Sequence, residues 1–172
     1  MTGKIYLDAA PIIDLVKIKV GIDLDEEEGK NVWYTDRILE AARKGDVELY
    51  TSILTIAECT HVKDKAKIES AKPFFMGLLA SGKSGIRLIQ PTLTIVESAR
   101  DLRWIHKANL SGMDSIHIAS ALHFKCDEFL TTDRKVLKNS KTISKLNLKL
   151  YKPLETILLP SLYLQENLSL KE

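Results

Sequence analysis

Short apolar runs alternate along the chain with longer segments whose apolar positions recur near every third or fourth residue. The runs KIYL (4–7), VELYTS (47–52), IRLIQP (86–91) and EFLTT (128–132) read as strands, with LKLYKP (148–153) as a fifth. Each is short, β-prone and bounded by turn residues or polar clusters. Between them lie helical patterns. Pro11 suits a first helical turn and Ile12, Leu15, Val16 and Ile18 supply its apolar face. The acidic stretch 21–29 reads as a loop leading into the helix NVWYTDRILEAARK, which Gly45 stops. ILTIAECTHVKDK (53–65) is helix-like and sets Glu58 among Leu54, Ile56, Ala57 and Val62, in a mostly buried helix. AKIESAKPFFMGLLASG (66–82) is helical with an interruption at Pro73, and TLTIVESARDLRWIHKAN (92–109) is a long helix. A helix over 113–125, the strand 128–132 and a lysine-rich helix follow. Alternating strands and helices predict an α/β fold with a mostly parallel central sheet. In such sheets, sites form outside the carboxyl ends of strands, and Asp8 and Asp133 stand at two of those ends.

Composition narrows the class without naming a chemistry. At 172 residues, with 45% apolar and 28% charged side chains, the chain is expected to form one globular domain over 1–172, with 153–172 as a C-terminal tail or interface segment. No apolar run approaches the roughly 20 residues needed to span a bilayer, and the amino-terminal residues lack the pattern of a secretory signal. The two cysteines are expected to be reduced thiols in a cytoplasmic protein. The net charge of +2 conceals an uneven distribution: acids gather in DLDEEEG (23–29), and lysine and arginine at 134, 135, 138, 141, 145, 149 and 152. That basic run can meet phosphates or form a solvated helix face.

Four acids carry the chemistry: Asp8 after the first strand, Glu58 in the helix after the second, Asp114 at a helix start, and Asp133 after a later strand. Each alone has an ordinary explanation. Asp8, Asp114 and Asp133 can cap helices, and Glu58 can face solvent. Gathered at one sheet edge, however, four carboxylates would repel one another, and a hard divalent cation such as Mg²⁺ or Mn²⁺ is the usual remedy. Acid-lined sites of that kind serve phosphodiester hydrolysis.

The stretches IYLDAAPIIDLV, YTSILTIAECTHV, GMDSIHIASALHFKCDEFLTTDRKVL and LKLYKP, in that order, give the chain its resemblance to a known family. It resembles the PIN-domain proteins, and among them the VapC-type toxin endoribonucleases of type II toxin–antitoxin systems. The resemblance implies a three-layer α/β/α fold with a central, mostly parallel sheet of four or five strands. It also implies Mg²⁺-dependent cleavage of single-stranded RNA, with Mn²⁺ as a possible substitute, by in-line attack of water leaving a 5′-phosphate and a 3′-hydroxyl. By this similarity Asp8, Glu58, Asp114 and Asp133 are the catalytic and metal-binding residues, Asp8 and Asp114 the most direct ligands, and Thr131 or Thr132 assists in orienting water or phosphate. His117, three positions after Asp114 and so on nearly the same helix face, can support the site or serve as a core or interface histidine. The implied partners are RNA, a cognate antitoxin and a second copy of the chain. Two features depart from the family pattern: the acidic segment 20–30 is long, and Asp14 adds an acid without an assigned use. An alternative on the same fold is a catalytically inactive RNA-binding or scaffold protein whose acids serve structure.

Other motifs compete less well. GLLASGKS (Gly77–Ser84) satisfies the spacing of a phosphate-cradling P-loop, which would make the chain a nucleotide binder. That loop requires a strand before it and a helix after it, and here the order is reversed. Cys59, His61, His117, His123 and Cys126 lack the paired spacing of a zinc site. Trp33, Trp104, Phe74 and Phe75 lie within apolar helical patterns and are expected in the core or an interface, not stacked on bases.

Overall fold

The structure is a computed structural model that describes residues 2–165. Strand β1 (Gly3–Leu7) is followed by α1 (Ala9–Lys19) and α2 (Glu26–Lys44), then β2 (Val47–Ser52), α3 (Leu54–Glu58), α4 (Ile68–Leu79) and β3 (Ile86–Ile89). Next come α5 (Leu93–Trp104), α6 (Gly112–His123), β4 (Glu128–Leu130), α7 (Arg134–Leu137), α8 (Ser140–Ser144) and β5 (Lys149–Tyr151). The five strands form one sheet in the order β3-β2-β1-β4-β5, and every pairing is parallel. This is the expected α/β architecture, with five strands.

Because side chains alternate across a strand, β1 feeds two cores. Ile5 and Leu7 join the apolar layer of α1, α2 and α4, whereas Tyr6 joins the opposite layer beneath α5 and α6. The buried aliphatic strands need cover on both faces, as parallel sheets do. The chain order places β2 on one side of β1 and β4 on the other, so the switch in winding direction lies between β1 and β4. Leu7 pairs with Leu130 there, and the Asp8 N–H donates to the Leu130 carbonyl at 3.0 Å. Asp8 and Thr131 therefore leave the sheet side by side.

Four local expectations need correction. The acidic segment is not loop to Gly29, because α2 starts at Glu26. Asp25 is its N-cap and forms a capping box with Glu28, and Glu26, Glu27 and Glu28 lie at the electropositive end of the helix. Pro73 stands inside α4 without ending it, since Ala71, Phe75 and Leu79 anchor both halves of the helix to the core. The run 53–65 yields only the five-residue α3, with Ile53 and Ile56 exposed, because Cys59 and Val62 turn into the core outside helical geometry. The lysine-rich segment likewise divides into the short α7 and α8.

The carboxyl-terminal segment packs Leu158, Leu159 and Tyr163 against the first core and exposes Ile157, Leu162 and Leu164. It covers the domain's own core and still presents apolar surface; residues 166–172 of the expected tail lie outside the described residues.

Two glycines in the turn before β3 differ in what surrounds them. Gly85 has φ +84°, and a Cβ there would sit 2.7 Å from the Arg43 nitrogen and 2.8 Å from the Ala42 carbonyl carbon of α2; Gly82 has φ +68° and open space. Gly82→Ala should therefore cost only the left-handed penalty of about 1–2 kcal/mol. Gly85→Ala must also displace backbone and should cost at least about 2 kcal/mol more. Urea denaturation of the two variants checks this, and equal losses would contradict the close packing of Gly85 on α2.

Candidate metal centre

Asp8 follows β1 directly and is buried, with 7% of its surface exposed. It occupies the N-cap position of α1 but makes no side-chain cap bond. Its Oδ2 instead accepts from the Thr131 hydroxyl at 2.7 Å, and Thr131 Oγ1 accepts in turn from the Asp133 N–H at 3.0 Å. One threonine thus joins the ends of β1 and β4. Burial pushes the Asp8 carboxyl above the usual range, His117 and the Thr131 and Ala9 donors counter it, and Glu58 adds repulsion.

Glu58 ends α3 and reaches across to α6, where its Oε2 lies 2.6 Å from His117 Nε2. The helix around it is not the buried one the sequence suggested: Ile56 and Ala57 are exposed and the Glu58 side chain retains 27% exposure. His117 itself is fully buried, and its Nδ1 lies 2.7 Å from the Tyr6 hydroxyl. Tyr6 is stacked on Phe129, with ring centroids 5.1 Å apart. Tyr6, His117 and Glu58 form a continuous polar chain from the sheet to the surface. Burial alone would lower the His117 pKa, but the bond to Glu58 and the charges of Asp8, Glu58 and Asp114 outweigh it and raise the pKa.

Asp114 is the third residue of α6, not its N-cap. Ser111 caps the helix, and its Oγ accepts from the Asp114 N–H at 3.1 Å and donates to Asp114 Oδ2 at 2.7 Å. Asp114 is half-buried and faces the same side as His117, three residues on. Asp133 caps α7, its Oδ1 accepting from the Lys135 N–H at 2.7 Å. Thr132 does not turn to the other acids: its hydroxyl donates to Asp14 Oδ2 at 2.9 Å, and Lys17 pairs with Asp14 Oδ1 at 2.7 Å. That contact gives Asp14 a structural use. The structure therefore links Asp8, Thr131 and Asp133 on one side, and Glu58 and His117 on the other, with Asp114 beside them.

The acidic start of α2 also approaches from the α1 side. Asp14, Glu27, Glu28, Thr132, Arg134 and Lys152 line a cavity of about 260 Å³ there.

A PIN domain family model matches residues 5–141, most of the chain. The chain belongs to the PIN domain family. Among solved structures, this PIN domain is similar to FitAB bound to the IR36 DNA fragment, at 16% identity and TM-score 0.54, covering 88% of this chain and 96% of that one. It is also similar to FitAcB from Neisseria gonorrhoeae, at 17% identity and TM-score 0.53, covering 88% and 99% respectively. At these identities the likeness extends to the fold. No curated protein matches the chain.

The P-loop spacing finds no support in this fold. Gly77–Leu79 close α4 and β3 follows the turn, so no helix begins where a phosphate would need one. Trp104 and Phe74 are exposed rather than core, whereas Phe75 is buried. No helix among the described residues is long and apolar enough to cross a membrane.

Among the described residues, no three His, Cys, Asp or Glu side chains are gathered closely enough to hold a metal ion as they stand. The chemistry of the donors nevertheless suits a hard divalent cation. All four candidate acids offer oxygen, and Asp8 is a buried carboxylate without a salt bridge among the described residues, its charge opposed by Glu58. A cation would relieve that repulsion.

Tyr6 was not visible as a site residue in the sequence. An apolar strand gives no signal that its middle side chain hydrogen-bonds a histidine 111 positions away. Tyr6→Phe keeps the stack on Phe129 but strips His117 Nδ1 of its partner. It should cost about 1–3 kcal/mol, the usual penalty for orphaning a buried polar group, read as a lower urea midpoint at unchanged slope.

The raised His117 pKa sets a further expectation. A histidine whose folded pKa exceeds its unfolded value contributes stability that is fully present below about pH 6.5 and lost as pH rises through the folded pKa. In metal-free protein, urea midpoints of the wild type should fall over that window more steeply than those of His117→Gln. Parallel pH profiles would contradict the pairing of His117 with Glu58.

Proposed function

We propose that this PIN domain is a divalent-metal-dependent endoribonuclease that cuts single-stranded RNA and serves as the toxin of a type II toxin–antitoxin pair. The reading is supported by two polar links: Glu58 Oε2 lies 2.6 Å from His117 Nε2 of α6, and Thr131 ties Asp8 at the end of β1 to Asp133. Mg²⁺ or Mn²⁺ would be held by Asp8 and Asp114, with Glu58 and Asp133 binding directly or through water. Such an ion supplies charge stabilisation at phosphorus and a more acidic water.

The chain's own groups define the rest. His117 Nε2 faces Glu58 Oε2, and Nδ1 is occupied by Tyr6, so the ring holds the Glu58 carboxylate in one orientation. Thr131 does the same for Asp8 by donating its hydroxyl proton. Glu58, with part of its surface open, is the acid best placed to accept a proton from an attacking water. Partners of the reading are RNA, a cognate antitoxin and a second copy of the chain, in the cytoplasm.

The engagement of Asp114 in the Ser111 capping box favours a second reading, in which the acids serve structure and the protein binds RNA without cutting it. Incubating purified protein with unstructured and structured RNAs in Mg²⁺, Mn²⁺ or EDTA separates the two. The nuclease reading expects cation-dependent products with 5′-phosphate ends, reduced at least about 100-fold by Asp8→Asn and by Asp114→Asn. Cleavage that persists in EDTA, or is equal in all three proteins, would sink it. Binding of RNA without products would establish the second reading.

A further inference from the structure

A groove of about 650 Å³ opens beside Asp114, between the loop that enters α6 and the turn of α7. Asn109, Ser111 and Asp114 line one wall, and Lys135, Lys138 and Asn139 the other. The walls are tied together by one buried side chain. Asn139 Oδ1 accepts from the Asn109 N–H at 2.8 Å, and Asn139 Nδ2 donates to the carbonyls of Asn109 at 3.1 Å and of Lys135 at 3.0 Å. Deep polar pairing of this kind fixes the spacing of two segments that are 30 residues apart.

Lys135 and Lys138 are exposed, three positions apart and both on the groove, so their ammonium groups serve one face. Among the described residues neither forms a salt bridge, whereas Lys17, Lys30, Lys44, Lys72 and Lys152 all do. The groove thus carries uncompensated positive charge along one wall and an acid at its end. Every lining residue except Leu110 carries a polar or charged group, and the groove's volume falls within the roughly 300–1,000 Å³ of small-ligand clefts. A single strand presents regularly spaced anions to such a wall, and Asp114 at its end stands on α6 three residues before His117, whose Nε2 lies 2.6 Å from Glu58.

We infer that this groove binds the phosphodiester backbone of a single nucleic-acid strand, with Lys135 and Lys138 each meeting a phosphate, and leads that strand to the acids. The inference rests on the nuclease reading only for what lies at the groove's end; the groove itself is a binding site. Its contacts are to phosphates, so the sugar of the strand does not enter.

The test is fluorescence anisotropy of short, unstructured RNA and DNA oligonucleotides of one sequence, over a salt series in Ca²⁺ and in EDTA, with Asp8→Asn as the parent protein. Lys135→Gln/Lys138→Gln is compared with Lys141→Gln/Lys145→Gln, which removes two exposed charges outside the groove. The groove pair should weaken binding of both oligonucleotides roughly tenfold near physiological salt and lower the slope of log K against log salt by about 1.4, two single-strand phosphate contacts. The outer pair should change neither. Equal effects from both pairs, no effect from either, lysine dependence for only one sugar, or equally tight capture of a polyglutamate peptide would overturn the assignment. Cleavage is not read in this assay, so a failed nuclease reading and a failed groove are told apart.

Discussion

A buried carboxylate at the end of β1 organises this PIN domain. Asp8 leaves the sheet beside Thr131 because β1 and β4 are parallel neighbours at the switch in winding direction. A charge in that position is expensive unless donors and opposite charges surround it. The fold supplies them from three directions: Thr131 from β4, the Ala9 N–H from the start of α1, and His117 from α6. His117 cannot serve alone, because an imidazole buried there needs partners on both nitrogens. Tyr6 and Glu58 provide them. The requirement to satisfy Asp8 thus extends from the sheet into helices on one face and to the surface at α3.

Helix capping and ion binding, which the sequence presents as alternatives for these acids, are compatible in the structure. A carboxylate has two oxygens and about four lone-pair sites. Asp133 uses Oδ1 to cap α7, and Asp114 uses Oδ2 within the Ser111 capping box. Each cap leaves further acceptor capacity and fixes the direction in which it points. Capping can therefore be the means by which short segments hold the acids near the sheet edge, where α7 spans only four residues and has little rigidity of its own.

The legible parts of the sequence were those governed by local pattern. VELYTS matches β2 residue for residue, a β-prone run that begins after the Gly45–Asp46 turn and ends where the helical spacing of the next segment starts. The position of Asp8 at a strand end followed from the same pattern, whereas β4 stops at Leu130, short of the expected 128–132, and Asp133 stands three residues beyond it as the N-cap of α7. What was illegible depended on contacts distant in the chain. The run 53–65 has helical spacing, yet Cys59 and Val62 are drawn into the core and truncate the helix, leaving Glu58 half-exposed. Pro73 carries a strong local break signal, but burial of Phe75 and Leu79 keeps α4 intact. Thr131 and Thr132 are adjacent and chemically equal, and only the tertiary arrangement assigns one to Asp8 and the other to Asp14. Tyr6 belongs to this second group as well.

The uneven charge noted in the sequence acquires a direction in three dimensions. On the α1 side of Thr132, Asp14, Glu27 and Glu28 line a cavity in which Arg134 and Lys152 are the basic groups, and Lys152 is already paired with Glu27. On the α6 side, Lys135 and Lys138 face a groove with Asp114 as its acid. A polyanion approaching the end of β1 would be repelled by the first surface and attracted by the second, within the roughly 8–10 Å over which charges act at physiological salt. On the nuclease reading, the acidic segment would help to select the approach of the strand. The acidic surface lies on one side of the strand ends and the lysine-lined groove on the other, so that a net charge of only +2 is no guide to the local field.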